Sequence, residues 1–169
     1  LLIDDSTEND FIVLFDTIHY LKQIQKNKLL KTIYDSIIDF ENYNSVTFTE
    51  ILIIGIPFVN QNQKINLLGR LENEIEKFNT LPEYPAIVHE LATQYLILSD
   101  FEKAKELFEK ALKIFESKEG LFLDEIEKTY TNLGAIYWYS EDLAKTRKYY
   151  ELAYRHCIKS FGENHPQTA

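Results

Sequence analysis

The chain has 169 residues, of which 45% are hydrophobic and 27% are charged. This balance is typical of a folded globular protein and excludes a disordered chain. The formal net charge of -9 argues against a nucleic-acid-binding protein, which needs a basic stripe on its surface, and it favours basic partners.

Two further features of the sequence bear on its cellular compartment. Cys157 is the only cysteine, so no internal disulfide can form, which fits a reducing compartment. The longest apolar run, 51–59, contains Gly55 and Pro57 and is too short to cross a bilayer. We therefore predict a cytoplasmic protein that neither enters nor binds a membrane.

Because the chain also lacks methionine, we expect it to be a fragment of a longer protein.

The first half of the chain predicts four helices. Apolar residues at steps of three and four positions mark the first two, at 11–21 and 29–40. A third helix starts at Ser45 or Thr47 and runs through Ile56, with a strand as the alternative for its apolar run. It ends or kinks at Pro57, since proline cannot donate the backbone hydrogen bond that a continuing helix needs. A fourth carries apolar positions between 65 and 78.

A segment with two prolines, residues 80–85, marks the main internal boundary. Four more helices follow it. Pro85 suits the first turn of a helix, Asp100 and Asp124 are suited to N-cap positions, and Gly120 is a natural C-terminal stop. The predicted helices cover about 85–98, 100–117, 124–140 and 142–160.

The second half repeats one pattern at a fixed offset, since Leu133 follows Leu91 by 42 positions. Leu91-Ala92-x-x-Tyr95 pairs with Leu133-Gly134-x-x-Tyr137. In the second helix of each copy, Phe108-x-x-Ala111 pairs with Tyr150-x-x-Ala153, and Gly120 pairs with Gly162. A period of this size indicates stacked helical hairpins, because one hairpin buries its apolar face only against a neighbour. The small residues let the two helices of a hairpin approach closely.

This pattern resembles the tetratricopeptide repeat. The longer period and the turn Gly-x-x-His-Pro within 161–169 resemble the kinesin-light-chain type of that repeat. The resemblance implies two repeats, 83–119 and 124–160, followed by a turn and the start of a truncated third repeat. It also implies an all-α fold, a right-handed superhelix of antiparallel hairpins with about eight helices. We interpret residues 1–80 as degenerate hairpins of the same kind, with a separate helical domain as the alternative.

The resemblance further implies a non-catalytic scaffold that binds a peptide or protein partner. In this family the first helix of each repeat lines a concave groove, and the residues between its packing positions face the ligand. Carried over position by position, the partner-binding residues are His89, Thr93, Leu96, Lys128, Thr131, Asn132, Ala135, Trp138 and Tyr139. Asn132 stands where the family often has an asparagine that hydrogen-bonds a peptide backbone. Packing against a neighbouring repeat is the alternative role for Trp138.

The sequence offers little for catalysis. No two histidines have the spacing of metal ligands, and no glycine-rich phosphate loop is present. His156 and Cys157 are adjacent on a helix and point in different directions, so they cannot form a nucleophile–base pair. We therefore predict no enzyme activity, no metal and no cofactor. Two alternatives stay open: the regulatory part of a larger NTPase switch or caspase-like protease, and a structural module that self-associates through its open repeat end.

Overall fold

The computed structural model describes residues 5–37, 46–118 and 121–161. These ranges contain eight α helices and no β strand, which confirms the predicted all-α fold. The helices are α1 (Asp5–Gln23), α2 (Asn27–Ile37), α3 (Val46–Gly55), α4 (Gln61–Ile75), α5 (Tyr84–Ile97), α6 (Phe101–Ser117), α7 (Leu123–Tyr139) and α8 (Leu143–Phe161). Gly120 and residues 162–169, where we predicted a stop and the start of a third repeat, lie outside the described residues.

The chain divides into two compact units, Leu1–Leu81 and Pro82–Ala169. The division falls within the proline-containing segment 80–85. In the part of the chain that the structure describes, no helix is both long and apolar enough to cross a membrane.

The first unit is built around α3, which contacts α1, α2 and α4. Most of its apolar run is buried, with Phe48, Ile51 and Leu52 almost fully removed from solvent, and Ile54 is half-buried. Gly55 ends the helix at a point of very close approach, since a Cβ there would lie 2.1 Å from Cε1 of Tyr34 on α2. The glycine is therefore required by packing between α2 and α3.

The second unit consists of two helical hairpins, α5–α6 and α7–α8, and α7 also contacts both helices of the first hairpin. The repeated small residues lie where the helices meet: Ala92 and Ala104 are fully buried. A Cβ on Gly134 would lie 2.7 Å from Cε1 of Tyr150, so the missing side chain makes room for a tyrosine ring. This contact explains the glycine in the second copy of the motif.

Three pairs of consecutive helices, α1–α2, α5–α6 and α7–α8, are joined by the same kind of tight turn. The residue after the C-cap of α1, α5 and α7 has a positive φ: 56° at Gln25, 62° at Ser99 and 60° at Glu141. The next backbone N–H then donates back to the carbonyl oxygen five residues earlier, which is the Schellman arrangement. These bonds are Lys26 to Leu21, Asp100 to Tyr95 and Asp142 to Tyr137, each at 3.0 Å. The turn fixes the end of each first helix against the start of the second.

The predicted N-cap at Asp124 is wrong. The helix begins at Leu123, so Phe122 occupies the N-cap position and makes no side-chain capping bond. Asp124 lies in the first turn instead, where its negative charge favours the positive end of the helix dipole. The predicted cap at Asp100 is present, with the side chain accepting a hydrogen bond from the amide of Lys103.

Candidate partner-binding surface

All nine predicted partner-binding residues lie on α5 and α7, the first helices of the two hairpins, which contact one another. None of the nine is fully buried, whereas Leu91 and Leu133 of the packing stripe are completely inaccessible. Residues three, four and seven positions apart share one face of a helix. We call the face of α5 and α7 that carries these nine residues the α5–α7 surface.

Two polar side chains on this surface have no hydrogen-bond or ion-pair partner among the described residues. Lys128 is exposed and Asn132 is half-buried, one helical turn away. Across the described ranges, neither side chain forms a hydrogen bond or ion pair. An asparagine amide can donate to a carbonyl oxygen and accept from an N–H, and a lysine ammonium offers three donors. Together they can satisfy the backbone of an extended chain.

The two threonines on the surface are already engaged. Thr93 donates its hydroxyl to the carbonyl oxygen of His89 at 3.0 Å, and Thr131 donates to a carboxylate oxygen of Glu127 at 3.1 Å. Leu96 and Ala135 add apolar contact area. Of the polar side chains on this surface, Asn132 and Lys128 therefore keep their hydrogen-bonding groups unused within the described residues.

His89 differs from the other predicted residues because its ring lies against α6. The ring meets Phe108 edge-on with 5.1 Å between centroids, and Phe115 lies 6.3 Å away. Its Nε2 atom is buried without a hydrogen-bond partner in the described part of the chain. Burial, and to a lesser degree the charge of Lys128, lowers the pKa of His89 to about 4. The side chain is therefore neutral at neutral pH and serves the packing of the first hairpin.

Trp138 and Tyr139 lie together at the C-terminal end of α7. They line a depression of about 480 Å³ with Glu141 and Leu143. Trp138 is 59% exposed and Tyr139 is 65% exposed. The ring of Tyr139 stacks on Phe101, with centroids 5.1 Å apart and planes 10° apart, which fixes one wall of the depression.

Sequence reasoning missed Glu141 and Leu143, because both lie beyond the helical face from which ligand contacts were inferred. The repeat offset carried a signal for them. Glu141 stands 42 positions after Ser99, and both residues adopt the same left-handed turn conformation.

The opposite side of α7 is filled by side chains from α6 and α8. Tyr130 donates its hydroxyl to a carboxylate oxygen of Glu116, and the ring of His156 meets Tyr130 edge-on at 5.4 Å. Tyr137 stacks on Tyr149 at 5.4 Å between centroids. Burial and the hydrogen bond to Glu116 both raise the pKa of Tyr130. This side of α7 is an internal interface with α6 and α8.

No group of three histidine, cysteine, aspartate or glutamate side chains among the described residues could hold a metal ion. The thiol of Cys157 on α8 is buried.

Comparison with known proteins agrees with this architecture. Family models of the tetratricopeptide repeat match residues 87–118, within α5 and α6, and residues 128–167, which begin in α7 and include α8. No curated protein matches the chain. Tetratricopeptide repeats generally form non-catalytic scaffolds for interactions between proteins. The kinesin-light-chain type of repeat stays a prediction. The chain therefore contains two tetratricopeptide repeats, at 87–118 and 128–167.

Proposed function

We propose that this scaffold binds an extended segment of a protein partner along the α5–α7 surface. The observation that carries the proposal is the pair Asn132 and Lys128, whose side chains have no partner among the described residues although both lie on a helix that is otherwise well packed. A polar side chain held on a rigid helix gains more from a ligand hydrogen bond than one that must first release an internal partner.

The chemistry of the surface suits an extended chain. An extended backbone presents unsatisfied N–H and C=O groups at regular intervals, and the Asn132 amide can bind both kinds of group. Trp138 and Tyr139 then offer broad apolar area for the side chains of the partner. The net charge of -9 favours a basic partner.

Selection of binding peptides from a random displayed library tests this proposal, because the selection needs no assumption about the sequence of the partner. We expect Asn132→Ala and Trp138→Ala each to abolish capture of the selected peptides, with an unchanged helical circular dichroism spectrum. Lys113→Ala and Tyr154→Ala are matched controls, since these exposed residues lie on α6 and α8. Capture that survives both surface substitutions contradicts the proposal.

Self-association is the second candidate function, and one observation favours it. Tyr150 and Tyr154 on α8 are exposed, although Phe108 and Leu112 at the equivalent positions of the first hairpin are buried. An apolar face of this kind can bind a second copy of the chain. Light scattering over a range of concentrations decides the question, because a concentration-independent monomer removes this candidate.

We also propose that residues 1–80 form degenerate hairpins of the same repeat type. The turn between α1 and α2 supports this, since Gln25 has the φ of Ser99 and Glu141 and the same backbone bond follows it. A role as the regulatory part of a larger enzyme stays a prediction that the sequence of the intact protein decides.

A further inference from the structure

We propose that the depression lined by Trp138, Tyr139, Glu141 and Leu143 binds an arginine side chain of the partner. The proposal deepens the function proposed above and rests on it for the identity of the ligand as a protein segment. The depression has a volume of about 480 Å³, within the roughly 300–1,000 Å³ that is common for ligand sites. Its lining combines exposed aromatic faces with one carboxylate.

Glu141 supplies a negative charge that the described residues leave uncompensated. Its carboxylate forms no ion pair or hydrogen bond with any of them, whereas the neighbouring Asp142 is paired with Lys145 at 3.3 Å. The backbone around Glu141 is fixed, since its N–H donates to Trp138 and its carbonyl oxygen accepts from Leu143, each at 3.1 Å. The carboxylate is therefore carried by a rigid turn at the edge of the aromatic surface.

A guanidinium group matches this lining better than other side chains do. It is planar, so it can stack on an indole face while its N–H fork binds a carboxylate through two parallel hydrogen bonds. Trp138 supplies the indole, and Glu141 supplies the carboxylate. A lysine ammonium can also lie over an aromatic ring, but as a point charge it lacks the stacking and the bidentate geometry. The net charge of the chain favours a cationic ligand as well.

The equivalent turn of the first hairpin lacks these features. At the positions that correspond to Trp138, Tyr139 and Glu141 it has Leu96, Ile97 and Ser99. The backbone of the two turns is the same, with φ of 62° at Ser99 and 60° at Glu141. The aromatic and acidic side chains are thus specific to the second turn and are not required by the turn itself.

The position of the depression also predicts the spacing of the ligand. Tyr139 follows Asn132 by seven residues and lies on the same side of α7, about 10 Å further along the helix axis. An extended chain covers this distance in about three residues. We therefore expect the arginine about three positions from the backbone group that Asn132 binds.

Trp138 is the only tryptophan, so its fluorescence reports directly on the depression. The test titrates the full chain with a short blocked peptide that has arginine between alanines. Three comparison peptides carry lysine, neutral citrulline or glutamate in place of the arginine. We expect a saturable change in emission with the arginine peptide, weaker binding of the lysine peptide, and no response to the other two. Glu141→Gln is expected to weaken arginine binding about tenfold.

Asp124→Asn is the matched control, because it removes the same charge at the far end of α7 and is expected to leave arginine binding unchanged. Equal binding of the arginine and citrulline peptides, or full binding by Glu141→Gln, overturns the inference. Emission that responds to no peptide overturns it too, since the depression is then covered by another segment or by a second copy.

The same titration separates this inference from the proposed function. One outcome is that binding of the library peptides depends on Asn132 but not on Glu141, with no preference for arginine in the selected sequences. That result supports the proposed function and refutes the arginine site. Conversely, arginine binding that depends on Glu141, with no library peptide that depends on Asn132, supports the arginine site and refutes the proposed function.

Discussion

The two hairpins of the second unit have the same backbone plan but differ in what covers them. Phe108 on α6 is 0% exposed and Leu112 is 8% exposed, whereas their counterparts on α8, Tyr150 and Tyr154, are 42% and 54% exposed. The first hairpin is covered by α7, which contacts both α5 and α6. The same position in a repeat is therefore core or surface according to its neighbour, as expected for a protein in which each repeat packs only on the next.

The largest change in stability should come from substitution of Phe108, compared with substitution of its counterpart Tyr150. Phe108→Ala removes a fully buried ring and should lower the free energy of unfolding by about 3–5 kcal/mol. Tyr150→Ala removes a ring that is already partly in solvent, so its cost should be markedly smaller. Chemical denaturation of each variant measures the difference, and equal losses would show that the two hairpins are covered alike.

The stability of the first hairpin should depend on pH in a way that the second does not share, because only the first has a histidine, His89, at this repeat position. Its folded-state pKa of about 4 lies below the ordinary value of 6.5. Between these values the unfolded chain binds a proton that the folded chain excludes, so stability falls as pH is lowered from 6.5 to 4. The loss should reach at most about 3 kcal/mol.

His89→Phe isolates this contribution, since the phenyl ring can keep the contact with Phe108 but cannot titrate. The stability difference between the native chain and the variant should change across pH 6.5 to 4 and be constant above that range. A difference that does not vary with pH would mean that the imidazole is accessible to protons in the folded state.

The smallest expected change in stability comes from the close contact between α7 and α8 in the second hairpin. Gly134→Ala places a Cβ against the ring of Tyr150, which must move, and we expect a loss of about 1 kcal/mol. Gly69→Ala is the matched control, because a Cβ there meets nothing within 4 Å. That variant should gain about 0.5–1 kcal/mol from helix propensity. Thermal unfolding should show that Gly134→Ala lowers the stability and that Gly69→Ala raises it. Stabilisation by both substitutions would contradict the close contact between Gly134 and Tyr150.

The repeat period made the second unit the most predictable part of the fold. One offset predicted two hairpins and the small residues between their helices. The first unit offered only helical periodicity, which does not identify its capping residue, Asn60. Its side chain in fact accepts from the amide of Gln63, while the Gln63 side chain accepts from the amide of Asn60, both at 3.0 Å. The spacing Asn60-x-x-Gln63 is the sequence signature of a capping box, so the residue types did carry a signal for this helix start.

The candidate surface could be proposed from the sequence only where the family resemblance assigns positions on a helix. The resemblance to the tetratricopeptide repeat gives Lys128 and Asn132 as partner-binding residues of α7 that lie between its packing positions. The burial of His89 was not predictable, since its aromatic neighbours belong to α6. Glu141 was missed because its position depends on a turn with a left-handed residue, which a helical wheel does not contain.

The central claim is that a partner segment lies along the α5–α7 surface, and amide chemical shifts measure this most directly. Titration of the isotopically labelled chain with a selected peptide should perturb amides around Lys128, Asn132 and Tyr139 on α7 and around Thr93 on α5. Those on the outer faces of α6 and α8 should be unchanged. Perturbations confined to α8, around Tyr150 and Tyr154, would contradict the account and assign binding to the exposed end of the repeat.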